Sequence, residues 1–192
     1  AVAARASDSL YLMPGDGFGG FLSIERVPLP GGVTAMIADA GRRAGVAGLV
    51  LATTSRSGSM VLVYDTRAGV LSANPATYAL PAEVRSLAIG DLDEDRARDV
   101  AVVAGSQVFV VHGRAEAQGL GRLEPVSVPF AARAIAVGEF IWDRDNRVEM
   151  AIMSEDGAVH IAARGQIDTR PMTAGDVQQA RLEMAKLRTE KE

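Results

Sequence analysis

The sequence predicts an all-β protein built from antiparallel sheets of four strands, with one short C-terminal α-helix. Twenty glycines and eight prolines are spread along the 192 residues and separate short runs of valine, alanine, leucine and isoleucine. Such spacing is typical of strands joined by tight turns. A four-strand pattern also recurs at intervals of about fifty residues. Helical spacing is confined to the stretch after Thr173.

The repeats begin near Val33, Val84 and Ala132. Each consists of an apolar strand, a polar loop, a second apolar strand, a third strand and a weaker fourth strand. The stretch before Val33 fits strands three and four of a preceding half unit. Sheets that are apolar on both faces need neighbours on both sides. We therefore predict that residues 1–172 form a partial β-propeller of about three and a half blades, fewer than many complete rings contain.

Composition excludes several classes of protein. The net charge of -4 gives no basic surface for nucleic acid, so no nucleic-acid partner is expected. The absence of cysteine excludes a disulfide framework, a cysteine-based zinc site and a thiol nucleophile. No apolar run is long enough to predict a membrane span. The chain begins at Ala1 without an apolar leader, which favours a segment of a longer polypeptide or a removed signal peptide.

The second repeat contains the most specific motif, GDLDEDRARDVAVV from Gly90. Its acids occupy positions 1, 3, 5 and 9 of a short loop, and the backbone carbonyl of Ala97 is available at position 7. Alternate carboxylates on a tight loop converge, and oxygen ligands at this density suit a hard cation such as Ca²⁺. The candidate ligands are Asp91, Asp93, Asp95, Ala97 and Asp99.

This loop resembles the D-x-D-x-D-G-x-x-D loop of FG-GAP/VCBS repeats, as found in integrin α-subunit propellers. The resemblance extends over about residues 10–165. It implies that the loop joins the first and second strands of a blade and binds calcium. Arg96 departs from the pattern, because the family has glycine there and glycine readily adopts a left-handed turn.

The other two loops are less complete. In the third repeat Asp143, Asp145 and Glu149 align with positions 3, 5 and 9, which predicts a second calcium site. The first repeat retains only Asp39 and is predicted to be free of metal.

Several other features have structural interpretations. GDGFGG from Gly15 is interpreted as a glycine-rich hairpin loop, because a strand and not a helix follows it. His112 and His160 end third strands about one repeat apart and are interpreted as equivalent blade positions. Trp142 is either a packed aromatic or an exposed stacking surface. The sequence contains no nucleophile elbow, zinc-protease motif or phosphate loop.

Residues 173–192 are predicted to form a helix or a linker. Asp176 lies near the start, where an acid suits the helix dipole. A narrow apolar stripe follows the helical spacing, formed by Val177, Ala180, Met184 and Leu187.

The resemblance implies a non-catalytic, extracellular or periplasmic scaffold that serves in structure, adhesion or the binding of a protein or glycan. A second copy or another chain would complete the ring. Two alternatives stay open. One is the propeller part of an extracellular carbohydrate-active enzyme, with the acids of the second and third loops near its site. The other is an engineered or dissected propeller fragment.

Overall fold

The computed structural model describes residues 1–39, 48–65, 74–95, 97–113, 121–141, 147–165, 167–168 and 170–189. These ranges contain thirteen β-strands and one α-helix. The strands are β1 (Ser9–Leu12), β2 (Glu25–Pro28), β3 (Gly32–Asp39), β4 (Gly48–Ser55), β5 (Gly58–Asp65), β6 (Ala76–Leu80), β7 (Val84–Gly90), β8 (Asp99–Ala104), β9 (Gln107–Val111), β10 (Leu123–Val126), β11 (Ala132–Gly138), β12 (Glu149–Ser154) and β13 (Val159–Ala162), and the helix is α1 (Ala174–Thr189).

The strands form four antiparallel sheets in which each strand pairs with the next along the chain. We call β1–β2 the N-terminal pair, β3–β6 blade 1, β7–β10 blade 2 and β11–β13 blade 3. The predicted class is confirmed: blades 1 and 2 have four antiparallel strands, and a short helix ends the described chain. In blade 3, no fourth strand pairs with β13 within the described residues.

The three blades share one template in detail. The pairing of the first two strands shifts register at the same place in each blade, at the bulged residues Thr34, Arg85 and Arg133. A bulge at a fixed position is a built feature of a sheet, because it sets the local bend of the strand. The regular recurrence seen in the sequence therefore corresponds to a recurring backbone geometry.

The core consists of three apolar layers, one between each pair of consecutive sheets. Alternation along β8 shows how they arise, because Val100 and Val102 pack toward blade 1 while Ala101 and Val103 pack toward blade 3. We call the side of a blade that points to the next blade its downstream face. Its five equivalent positions are Ile37, Val50, Ala52, Val61 and Val63 in blade 1; Ala88, Ala101, Val103, Val108 and Val110 in blade 2; and Ala136, Ala151, Met153, Val159 and Ile161 in blade 3.

The first strands of consecutive blades lie side by side, as around the axis of a propeller. Between β7 and β11, Ser86 Oγ accepts a hydrogen bond from Ile135 N at 3.2 Å. Close approach also requires Gly90, because a Cβ at this residue would lie 2.2 Å from Val137 Cγ1. A larger residue at this position would require Val137 to shift.

The helix begins with a cap supplied by its own first turn. Asp176 Oδ2 accepts hydrogen bonds from Thr173 N and Thr173 Oγ1, both at 2.7 Å, and Asp176 N donates to Thr173 Oγ1 at 3.3 Å. No helix in the described ranges has the length and apolar content that a membrane crossing requires.

Candidate metal centre

The acidic loop of blade 2 connects β7 to β8, and Gly90 pairs with Asp99 across its base. It therefore joins the first and second strands of a blade, as the sequence predicts. One carboxylate oxygen from each of Asp91, Asp93 and Asp95 lies within 4.8 Å of the other two. Such a separation lets three carboxylates share one ion.

Hydrogen bonds from the loop backbone hold two of these carboxylates in place. Asp93 Oδ1 accepts from Asp95 N at 3.3 Å, and Asp95 Oδ1 accepts from Ala97 N at 2.7 Å. Glu94 has a φ of 65°, in the left-handed region that a non-glycine residue rarely adopts. Arg96, at the position where the repeats that this loop resembles have glycine, lies outside the described residues.

The residues present fit a hard cation. The donor set consists of carboxylate oxygens on one tight loop, and these repel one another unless a positive charge lies between them. The loop backbone engages one oxygen of Asp93 and one of Asp95, so that the carboxylates converge and are not splayed.

Asp99 fastens the loop to the body of the blade. Its side chain is 0% exposed. Its Oδ2 accepts a hydrogen bond from Leu92 N at 2.6 Å, and its Oδ1 accepts one from Gly113 N at 2.7 Å. Burial raises the pKa of this carboxyl above its ordinary value, although the two backbone donors act in the opposite direction. Asp99 thus ties the start of the loop to the end of β9.

His112 completes the site and was not predicted to belong to it. Its Nδ1 lies 3.3 Å from Asp93 Oδ2 and 3.7 Å from Asp99 Oδ1. Its Nε2 lies 3.1 Å from Glu124 Oε2, and this contact, with that of Arg122, lowers the pKa of Glu124. Asp93, Asp99 and His112 therefore form a second group of ligand atoms within 4.8 Å. The sequence signal for His112 is its place just after β9, the strand that pairs with the strand beginning at Asp99.

The predicted equivalence of the two histidines is wrong. His160 pairs with Ile152 in blade 3, whereas the corresponding pair in blade 2 is Phe109 with Val102. The two histidines end strands of similar appearance, but the register places them three positions apart. His112 is therefore a feature of blade 2 alone.

His160 lies in a cluster that contains the residue types of a catalytic triad but not its connectivity. Ser154 Oγ donates to Asp156 Oδ1 and lies 3.2 Å from His160 Nε2. In a triad the carboxylate would bind the other ring nitrogen, and the serine would be accessible to substrate. Here Ser154 is buried, and Phe130 stacks on the His160 ring at 3.9 Å. The cluster closes the turn between β12 and β13.

The loop of blade 3 repeats the anchoring acid. Glu149 pairs with Gly138, which is the register position of Asp99, and it is likewise buried. Its Oε2 accepts from Phe140 N at 2.7 Å and from Ile141 N at 3.1 Å. Asp143, Asp145 and Trp142 lie outside the described residues, so a calcium site there stays a prediction.

The loop of blade 1 lacks this acid, because Gly48 occupies the position of Asp99 and pairs with Asp39. Asp39 takes the place of Gly90, and residues 40–47 lie outside the described residues. The prediction that this loop is free of metal is therefore untested.

A cavity of about 340 Å³ opens next to the centre, between the outer strands of blades 2 and 3. Its wall is mostly apolar, while His112, Glu124 and Arg164 supply polar groups. A site of this kind can hold a small ligand group beside the acidic loop.

No protein-family model matches this sequence, and no curated protein is significantly similar to it. Fold and site together define an all-β protein of stacked antiparallel blades with an acidic cluster able to hold a metal ion.

Proposed function

We propose that this chain is a non-catalytic FG-GAP/VCBS-type propeller segment that acts outside the cytoplasm as a structural, adhesion or ligand-binding scaffold. A second copy or another chain completes its ring. The observation that carries the proposal is the downstream face of blade 3, which has the composition of a blade interface but is exposed.

The comparison with the other blades supports this interpretation. On the downstream faces of blades 1 and 2 almost every side chain is buried by the next blade. At the equivalent positions of blade 3, Val159 is 64% exposed and Ile161 is 43% exposed. All five positions of this face are apolar, and exposed apolar patches of this kind mark interaction surfaces.

The proposal also assigns a calcium site to the acidic loop of blade 2. Bound calcium would neutralise the carboxylates and hold the loop in one conformation. Asp91, Asp93 and Asp95 are the residues that would hold it, and Asp99 positions the loop. The connectivity of Ser154, His160 and Asp156 supports a non-catalytic role, because it matches a fastened turn and not a nucleophile.

Light scattering after size exclusion, with and without EDTA, tests the scaffold. Stable association above the monomer mass of 20.1 kDa is expected, either with itself or with an added partner chain. The proposal fails if the chain is a monomer in which the downstream face of blade 3 is inaccessible to solvent.

Calorimetric titration with CaCl₂ tests the loop. We expect one site in the wild type, and at least about tenfold weaker binding in Asp95→Asn, because one charged ligand is lost. Asp156→Asn is the matched control, since it removes the same charge from a turn outside the loop. Equal binding by all three proteins would contradict the assignment.

A further inference from the structure

Most of the exposed large apolar side chains lie in the N-terminal pair and its turn or in blade 3, and Ile167 and Leu182 lie beyond the sheets. The N-terminal end contains Phe18, Phe21, Leu22 and Ile24, and blade 3 contains Val159 and Ile161. Among the described residues of blades 1 and 2, Met36 is the one large apolar side chain that is exposed to a similar extent, at 40%. One chain therefore has two separate exposed apolar surfaces, one at its first sheet and one at its last.

The first surface is the turn between β1 and β2, residues 13–24, which we call the aromatic ribbon. Gly15 pairs with Phe21, and Leu22 N donates to Pro14 O at 2.8 Å. The Asp16 carboxylate accepts from Phe18 N at 2.8 Å and from Gly20 N at 2.9 Å. These bonds fix the turn before any partner binds, so little ordering entropy is lost on association.

The ribbon presents its aromatic residues to solvent. Phe18 is 97% exposed and Phe21 is 68% exposed. Exposed aromatic rings on a held turn are the kind of anchor that dominates the binding energy of protein interfaces.

The second surface is the downstream face of blade 3. Its five positions lie in two cross-strand rows, Ala136–Ala151–Ile161 and Met153–Val159, and Ala134 extends the second row as the partner of Met153. The small alanine side chains leave a shallow depression beside the larger side chains. Neither row contains a charged residue. Such a face accommodates aromatic rings without desolvating a charge.

The outer side of the N-terminal pair is a poor complement for this face. Tyr11 and Arg26 lie there as cross-strand partners, and Arg26 Nη2 hydrogen-bonds to Ser9 Oγ at 2.7 Å. Flat packing of that side onto blade 3 would bury polar groups, whereas the ribbon beside it is apolar.

We propose that the downstream face of blade 3 binds the aromatic ribbon of a second copy of this chain. Both halves of the contact are present in one molecule, so two copies can make it twice around a two-fold axis. The inference rests on the proposed function and specifies which occupant covers the open blade.

Solution mass of three proteins provides the first test. We expect a dimer of twice 20.1 kDa for the wild type and roughly thirtyfold or greater weakening in Phe18→Ser/Phe21→Ser, since both anchors are lost. Met36→Ser is the control, because it removes an exposed apolar side chain from blade 1, away from both surfaces. A wild-type monomer, or a dimer unaffected by the double substitution, would overturn the inference.

Disulfide trapping provides the second test, and the absence of native cysteine makes it clean. Copies carrying Phe18→Cys are mixed with copies carrying Ile161→Cys and oxidised. A mixed disulfide as the main product supports the ribbon contact. A dominant Ile161→Cys homodimer would mean that two blade-3 faces meet, which overturns it.

The Ile161→Cys variant also distinguishes failure of this inference from failure of the proposed function. In a monomer, a Cys at 161 that reacts freely with a thiol reagent overturns the second-copy contact but leaves the face open for another chain. A protected Cys in a monomer overturns both.

Discussion

Blades 2 and 3 share a template, a bulge position and an anchoring acid, but they differ in what covers them. Val103 in blade 2 and Met153 in blade 3 occupy the same register position on the downstream face. Val103 is fully buried by blade 3, whereas Met153 remains partly exposed. The difference shows that the apolar face of a blade is buried in the core only where a following blade packs on it.

The anchoring acids of the two blades also differ in the segments that they connect. The N–H groups that donate to Asp99 come from two segments, the loop and the end of β9. Glu149 donors are consecutive residues of one loop, Phe140 and Ile141. The acid of blade 2 therefore links its loop to the end of β9, whereas the acid of blade 3 binds only its own loop.

The largest expected effect comes from lysine at the two equivalent positions. Val103→Lys buries an amine without a partner between two blades and should lower the free energy of unfolding by about 4 kcal/mol or more. Met153→Lys should change it by about 1 kcal/mol or less, since the amine reaches water. Urea denaturation at low protein concentration measures both, and equal losses would show that the two faces are equally covered.

A smaller difference is expected for the anchoring acids. Asp99→Ala leaves two buried N–H groups from separate segments unpaired and should cost about 2–4 kcal/mol of unfolding free energy. Glu149→Ala should cost about 1–2 kcal/mol, because its donors lie in a loop that water reaches. Chemical denaturation of both variants checks the order, and Asp99→Asn, which retains one acceptor, should fall between wild type and Asp99→Ala. A larger loss at Glu149 would reverse the comparison.

Much of the fold could be predicted from the sequence because the repeat imposes it. Runs such as Val100–Ala104 are apolar on both faces, which indicates burial on both sides, and the acids from Asp91 to Asp95 converge as their spacing predicts. His112 was missed as part of the site because its contact with Asp93 depends on strand register, which apolar runs of similar composition specify weakly. The same limit led to the incorrect equivalence with His160.

The smallest effect concerns the turn of blade 3, where Asp156 has no acidic counterpart in the Gly105–Ser106 turn of blade 2. Hydrogen bonds from the Ser154 hydroxyl and from Ala158 N hold the pKa of Asp156 below its ordinary value. A carboxyl group whose pKa is lower in the folded state stabilises the fold when the pH is above its unfolded-state pKa, about 3.9. This stabilisation is lost as the pH falls through the folded-state pKa.

Asp156→Asn should therefore slightly lower stability in the neutral range, where the ionised carboxylate contributes, and flatten the loss of stability on acidification below about pH 4. Thermal melts from pH 2 to pH 7 measure this. A variant as steeply acid-sensitive as the wild type would show that other carboxylates account for the slope.

The consecutive pairing of strands has a consequence for how the molecule is made. Every sheet is a meander, so each blade can close as soon as its own strands leave the ribosome, without waiting for distant sequence. Each blade covers the apolar face left by the sheet before it, so the layers of the core can form in the order in which the sheets are made.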